Sequence, residues 1–140
     1  MTRSHPDLLA AMASALLLTA CLQGTPTCSD SAAAEFRSLE HYKGARLEPQ
    51  PHVYGACNAT FVSSDDPNAV LEAYRSELEA SGYTVRSAFT TPIMDETEAI
   101  VGQMVSLDAK SKSFFVSVSA EVFDGQEATY NVFVDDLEQP

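Results

Sequence analysis

The chain has 140 residues, with 20 acidic and 8 basic side chains and a formal net charge of −12 at pH 7. This length predicts one domain, and a hydrophobic content of 45% can form a packed core. The acidic excess argues against nucleic-acid binding, because phosphate contacts depend on clustered Lys and Arg. It also argues against a protein face that lies on anionic lipid headgroups, and we interpret it as a solubilising surface charge.

The first apolar segment is LLAAMASALLL, residues 8–18. As a helix these residues would extend only ~17 Å, well short of the ~30 Å hydrocarbon core of a bilayer. One base, Arg3, precedes the segment and is opposed by Asp7. The segment therefore predicts a secretion signal peptide rather than a membrane-spanning helix.

A cysteine follows this segment at the end of Leu18-Thr19-Ala20-Cys21. An ordinary signal peptidase prefers small residues three and one positions before its cut, as in Ala13-Ser14-Ala15, but a cut there would split the apolar segment. The tetrapeptide instead resembles the lipobox of bacterial lipoproteins. The alternative is that Cys21 is buried in the domain or bonded to another cysteine.

The lipobox resemblance implies that the Cys21 thiol receives a diacylglyceryl group and that the chain is cut before this residue. Residues 1–20 would be the signal peptide, residues 21–34 the lipidated cysteine and its tether, and residues 35–140 the domain. Two acyl chains are enough for stable anchoring. The implied location is the cell envelope, either on the outer face of the cytoplasmic membrane or in the outer membrane. Leu22, where some lipoproteins carry a retention Asp, points to the outer membrane in a host that has one.

Once Cys21 is assigned to the lipid, Cys28 and Cys57 remain. An even pair in an exported chain predicts one disulfide, with two buried free thiols as the alternative. The disulfide would leave residues 22–27 as the only free tether, and six residues reach at most ~20 Å. We therefore expect the domain to lie close to the membrane.

The segment after the tether predicts a short helix over residues 32–39. A strand at residues 45–48 is expected in a loop that contains Gly and Pro. Residues 53–62 alternate and predict the first long strand, with Cys57 and Phe61 on one face.

The clearest helix signal follows Asp66, which is a good N-cap residue before Pro67 at the first helical position. Gly82 is placed to end this helix in a left-handed conformation. The apolar residues at helical spacing are Val70, Leu71, Tyr74 and Leu78.

Four further strands are predicted at residues 83–89, 99–107, 114–122 and 128–134. In the first of them Tyr83, Val85 and Phe89 would share one side, and Thr90-Thr91-Pro92 would break the strand. Gly102 indicates a bulge in the second. Short connections imply antiparallel neighbours. The predicted fold class is α+β, with one main amphipathic helix packed on one face of a curved antiparallel sheet of four to five strands.

Three phenylalanines, Phe115, Phe123 and Phe133, fall on the sheet face opposite Val116 and Val132. Either the N-terminal segment covers these rings, or they form an exposed apolar interaction face.

The stretch YRSELEASGYTV resembles a helix-to-strand module of small envelope lipoproteins that have no assigned activity. Its pattern of Tyr, Leu and a Gly-aromatic pair is one that packing alone can require. The resemblance carries over no functional residue.

The sequence offers no catalytic motif, no metal-ligand spacing and no cofactor site, so we expect none of these. The first functional hypothesis is a non-catalytic, membrane-anchored module that contacts another envelope protein or the cell wall. The second is a small-molecule binder with its ligand between helix and sheet. The third is a hydrolase, which would need His41 or His52 beside a serine or carboxylate in a cleft.

Overall fold

The computed structural model describes residues 28–138. Their strands form one antiparallel sheet in the order β1-β2-β6-β5-β4-β3. Two short 3-10 turns, Tyr42–Gly44 and Val53–Gly55, lie between the first helix and β2. The helices and strands are α1 (Asp30–Ser38), β1 (Gln50–Pro51), β2 (Cys57–Ser63), α2 (Pro67–Ala80), β3 (Thr84–Met94), β4 (Ile100–Lys110), β5 (Phe114–Phe123) and β6 (Ala128–Asp136).

The prediction of one main helix on a sheet of four to five strands is wrong, because the described chain has two helices and six strands. The sixth strand is β1, in which Gln50 pairs with Asn58 and Pro51 with Cys57. A two-residue strand that contains proline has no alternation to reveal it, and proline is tolerated there because β1 is an edge strand. The strand predicted at residues 45–48 has no regular structure.

Helix α1 begins before the predicted domain boundary at residue 35. The Ser29 side chain accepts a hydrogen bond from the Ala32 amide, which caps the helix. Phe36 is fully buried, and the Tyr83 hydroxyl donates to the Glu35 carboxylate at 2.6 Å. Residues from Ser29 onward are therefore fixed to the packed part of the chain.

The helix predicted after Asp66 is confirmed as α2. The Asp66 side chain accepts a hydrogen bond from the Asn68 amide at 3.0 Å, and Pro67 occupies the first turn. Gly82 has a φ of +87°, the left-handed conformation that ends the helix and that a Cβ would strain. All four predicted stripe residues are buried against the sheet: Val70, Leu71, Tyr74 and Leu78.

Strand β3 is longer than predicted, because it continues through Thr90-Thr91-Pro92 to Met94. Pro92 pairs with Gln103 of β4. Since β3 is the edge strand, the missing N–H of proline can face away from β4 without breaking the ladder.

Two bulges change the predicted faces of this hairpin. Val85 pairs with Ala109 and Ser87 with Asp108, so Arg86 is an extra residue. The face alternation shifts there, and Phe89 lies on the opposite face from Val85, contrary to the prediction. The second bulge is at Val101, next to Gly102 rather than at it.

Both helices pack on the same face of the sheet, α1 over β2 and β6 and α2 over β3, β4 and β5. The core lies between these two layers, and its largest fully buried side chains include Phe36, Tyr74, Leu78 and Tyr130. Full burial of an aliphatic or aromatic side chain contributes roughly 1.5–3 kcal/mol relative to exposure. Because the helices cover only one side of the sheet, every second residue along a central strand is a core residue.

Among residues 28–138, no helix packs on the other side of the sheet, and we call this side the open face. On β5 it is formed by Phe115, Ser117, Ser119, Glu121 and Phe123. The near end of the sheet is where β2 begins and β6 ends, with Cys57 opposite Val134. The far end carries the loops at residues 64–66, 95–99 and 124–127.

Candidate functional site

The predicted disulfide is confirmed, because Cys28 and Cys57 are bonded and their Cα atoms lie 5.1 Å apart. Cys57 is fully buried at the first position of β2. The bond therefore fixes Cys28 to the near end of the sheet. The predicted lipidation residue Cys21 and the tether at residues 22–27 lie outside the described residues.

A second feature of the near end was not predicted from the sequence, the 3-10 turn Val53–Gly55. Tyr54 has a φ of +55° and its side chain is 96% exposed, and Val53 is 61% exposed. A left-handed conformation is unusual for an aromatic residue, and it occurs where the surrounding structure imposes it. The sequence does not reveal this turn, because the alternation of residues 53–62 predicts a strand there.

The structure brings two of the three predicted phenylalanines together. The rings of Phe115 and Phe133 meet edge to face with their centroids 6.4 Å apart, and both are partly buried. The His52 ring, from the segment before β2, packs edge-on against Phe133 at 5.2 Å. Phe123 lies eight residues further along β5, at the far end, and is exposed.

The rest of the open face combines a polar strip with exposed apolar side chains. Asn58 donates a hydrogen bond to Asn131 at 3.1 Å, and the Ser87 hydroxyl donates to Asp108 at 3.0 Å. A shallow depression of about 450 Å³ lies in the middle, lined by side chains of β4, β5 and β6 that include Met104, which is 40% exposed. The exposed apolar residues of this face are Val62, Phe89, Met104 and Phe123.

His41 is buried and has an internal hydrogen-bonding role. Its Nε2 lies 3.0 Å from the Phe36 carbonyl oxygen and its Nδ1 lies 3.2 Å from the Tyr74 hydroxyl. A carbonyl can only accept, so Nε2 carries the proton and Nδ1 accepts from Tyr74. Burial lowers the pKa of His41, although the hydrogen bond to Phe36 and the charge of Glu77 favour the protonated ring. Burial also raises the pKa of Tyr74 to about 12.

The two histidines therefore have contacts other than those that the hydrolase hypothesis requires. Both His41 nitrogens are engaged by a backbone carbonyl and a tyrosine hydroxyl, and the His52 ring packs on Phe133. Neither arrangement pairs an imidazole with a serine nucleophile or an orienting carboxylate.

Apart from the depression on the open face, a second cleft lies at the margin of the two layers. This cleft of about 340 Å³ lies beside α2, and its lining includes His41, Ser76 and Glu77, although both ring nitrogens of His41 bond to Phe36 and Tyr74 instead. At its rim the Lys43 ammonium and the Tyr42 hydroxyl both bond to the Asp65 carboxylate, at 2.6 and 2.8 Å, and the bond from Lys43 is the main cause that lowers the pKa of Asp65. The small-molecule hypothesis places a ligand between helix and sheet. In the structure, core side chains fill the space between α2 and the sheet.

Within residues 28–138, no group of three or more His, Cys, Asp or Glu side chains is arranged to hold a metal ion. No helix in the same part of the chain is long and apolar enough to cross a membrane.

Comparison with protein-family models, with curated proteins and with solved structures finds no match for this chain.

Proposed function

We propose that this protein is an envelope lipoprotein, anchored through a lipid on Cys21, whose domain is a non-catalytic module that binds another envelope protein. The observation that carries the proposal is the Cys28–Cys57 disulfide. It uses the two cysteines of the domain and leaves Cys21, at the end of the lipobox-like tetrapeptide, as the odd one. An odd cysteine in an exported chain needs a separate role, and lipidation supplies one.

The same disulfide limits the distance between domain and membrane. Residues 22–27 separate the lipidated cysteine from the disulfide-bonded Cys28, and six residues extend to at most ~20 Å. The domain is thus presented close to the bilayer, where it meets other envelope components.

The open face is the surface that we assign to the protein partner. It is one whole side of the six-stranded sheet, no helix of residues 28–138 covers it, and it exposes Val62, Phe89, Met104 and Phe123. Apolar side chains on one face, among polar side chains that hydrogen-bond to each other, are typical of a protein-binding surface. Of the three phenylalanines predicted to form an interaction face, this assignment keeps Phe123 and leaves out the partly buried Phe115 and Phe133.

Anchoring is tested by Cys21→Ser in the full chain expressed in a bacterial host. We expect the variant to leave the membrane pellet, and mass spectrometry to find no acyl chains on its N-terminal peptide. The matched control is the double variant Cys28→Ala/Cys57→Ala, which loses the other two cysteines and should stay in the pellet. A Cys21→Ser protein that still sediments with membranes in the same amount would contradict the proposal.

Partner binding is tested with a photo-crosslinking amino acid in place of Met104 on the open face. The control position is Ser76, which is exposed on the outer side of α2. We expect a discrete crosslinked product in native membranes from position 104 alone, and its loss when Phe89→Glu is added. Identical products from both positions would contradict the assignment of the open face.

A further inference from the structure

We propose that the turn Val53–Gly55 rests on the lipid bilayer that holds the anchor, with Tyr54 and Val53 at a zwitterionic headgroup surface. The near end of the sheet then faces the membrane and the far end faces away from it. This inference rests on the proposed anchoring through Cys21, and it adds a second, protein-borne membrane contact.

The first argument is the exposure and conformation of the two side chains. Tyr54 is 96% exposed and Val53 is 61% exposed, so neither contributes appreciably to the core. Tyr54 also has a left-handed φ of +55°, in which a residue with a Cβ is strained. An exposed aromatic residue held in a strained conformation indicates a role outside the fold itself.

The second argument is that the turn is held in place. The Ala56 amide donates to the Val53 carbonyl at 3.2 Å, and the His52 amide donates to the Ala56 carbonyl at 2.8 Å. The Ser29 amide donates to the Gly55 carbonyl at 2.8 Å, which joins the turn to the residue that follows Cys28. A surface that is fixed before contact loses little conformational entropy when it binds.

The third argument is the position of the turn relative to the tether. Cys28 is bonded to Cys57, and its neighbour Ser29 is hydrogen-bonded to Gly55, so the tether enters the described structure beside the turn. Cys28 is seven residue steps from the lipidated Cys21, so it can lie no more than ~25 Å from that residue. The Val53–Gly55 turn is therefore among the parts of the domain closest to the bilayer.

The fourth argument is charge, which selects lipid of a particular kind. The sixteen residues from 49 to 64 contain no Asp, Glu, Lys or Arg, in a chain with 20 acidic residues. A tyrosine has an apolar ring and a polar hydroxyl, the combination that suits the headgroup region. Asp30, Asp135 and Asp136 lie at the same end of the sheet as Lys110 and Lys112, and the remaining acidic excess favours a zwitterionic surface over an anionic one.

The far end has the opposite character. Its three loops, residues 64–66, 95–99 and 124–127, together carry seven acidic residues and no basic one. An end with this charge is the less favourable one to place against phospholipid, which agrees with the orientation that the turn implies.

The test uses tryptophan fluorescence, because the chain contains no tryptophan of its own. The full lipidated chain with Tyr54→Trp is reconstituted into phosphatidylcholine vesicles that contain phosphatidylcholine brominated on its acyl chains. We expect a blue-shifted emission that loses about half of its intensity, because an interfacial ring lies within about 10 Å of the upper acyl chain. The matched control is Met94→Trp. Met94 lies at the far end and is 59% exposed, so a tryptophan there should keep its emission. Val53→Trp repeats the measurement in the same turn without altering the left-handed residue.

Flotation of the same vesicles separates this inference from the proposed anchor. Protein that floats and is quenched at positions 53 and 54 but not at 94 supports both. Protein that floats but is quenched equally at all three positions, or at none, overturns the membrane contact and leaves the anchor standing. If the protein purified from the full chain carries no acyl chains on Cys21 and does not float, the anchor is overturned, and the membrane contact with it. Stronger quenching in phosphatidylglycerol than in phosphatidylcholine vesicles would overturn the assignment to a zwitterionic surface.

Discussion

Removing the Cys28–Cys57 disulfide should reveal how strongly a single covalent bond stabilises the domain. The bond joins residues 29 positions apart, so it restricts a loop of that length in the unfolded chain. The chain-entropy relation gives about 3.6 kcal/mol for such a loop at 25 °C. For a domain of about a hundred residues this corresponds to a fall in melting temperature of about 15 °C. The loss of about 3.6 kcal/mol is a large share of the free energy of unfolding of a typical domain, which is about 5–15 kcal/mol.

The assay is urea unfolding followed by circular dichroism, on the oxidised protein, the reduced protein and the Cys28→Ala/Cys57→Ala variant. Reduction removes the covalent bond and keeps both sulfur atoms, so it tests the loss of the crosslink without deleting a buried side-chain atom. The double variant also removes a sulfur that is fully buried at Cys57, and a cavity of this kind adds about 1 kcal/mol to the loss. We expect the order of stability to be oxidised, reduced, and then the double variant.

The reasoning would be refuted if reduction lowered the free energy of unfolding by less than about 1 kcal/mol. That result would mean one of two things. Either the loop is already compact in the unfolded chain, or the non-covalent contacts of α1 hold it in the folded domain without the bond. Hydrogen exchange of the α1 amides in the reduced protein would distinguish these cases, because redundancy predicts unchanged protection of the helix.

Four further predictions concern single side chains. Tyr130→Phe should leave stability unchanged or raise it by about 1 kcal/mol, because its buried hydroxyl finds no hydrogen-bond partner within residues 28–138; Tyr74→Phe, which removes a bonded hydroxyl, should cost about 1 kcal/mol in the same urea assay. Burial lowers the pKa of His41 below its unfolded value of 6.5. The free energy of unfolding should therefore be highest above that pH and fall as the pH drops through the folded pKa, and His41→Gln should flatten this pH dependence. Gly102→Ala should destabilise the protein by roughly 1–3 kcal/mol in thermal melts, because the added Cβ would lie 2.4 Å from a backbone oxygen of β5. Tyr54→Asn should melt no earlier than the wild-type protein, because Asn tolerates the left-handed conformation and the lost ring is exposed.

Each of these has an outcome that contradicts it. Equal losses for the two tyrosine variants would mean that the hydroxyl of Tyr130 is satisfied in solution. An unchanged pH dependence in His41→Gln would assign the effect to other groups. Wild-type stability of Gly102→Ala would show that β5 can move aside. A clear loss in Tyr54→Asn would show that the ring packs on the domain.

The parts of the fold that local signals encode were predictable. The cap at Asp66, the apolar stripe of α2 and the stop at Gly82 each depend on neighbouring residues, and each agrees with the structure. The alternation of β5 and β6 was equally informative, because one face of each strand is core. The disulfide followed from cysteine number alone once Cys21 was set aside.

The errors arose where tertiary context decides. Pro92 was interpreted as a strand breaker because its sequence does not reveal that β3 is an edge strand. The bulge at Arg86 moves Phe89 to the other face, and no periodicity predicts an inserted residue. The two residues of β1 are a strand only because β2 offers them a partner.

The candidate site was predictable only in outline. The face shared by Phe115, Phe123 and Phe133 follows from alternation, but the separation of Phe123 from the other two depends on the register and length of β5. The left-handed conformation of Tyr54 depends on hydrogen bonds to Ala56 and Ser29, which a local pattern does not contain.

If the near end lies on the bilayer, as we propose, the length of the strands determines how far the domain extends from the lipid. Strands β3 and β4 each have eleven residues and run between the near end and the far end. At about 3.3 Å per residue they span about 35 Å. With the near end against the bilayer, the loop at residues 95–99 stands at that height above the lipid. In the proposed orientation, a partner that contacts this loop from an opposing layer would have to lie within a gap of this size, so the length of one hairpin would set the largest spacing that the domain could bridge.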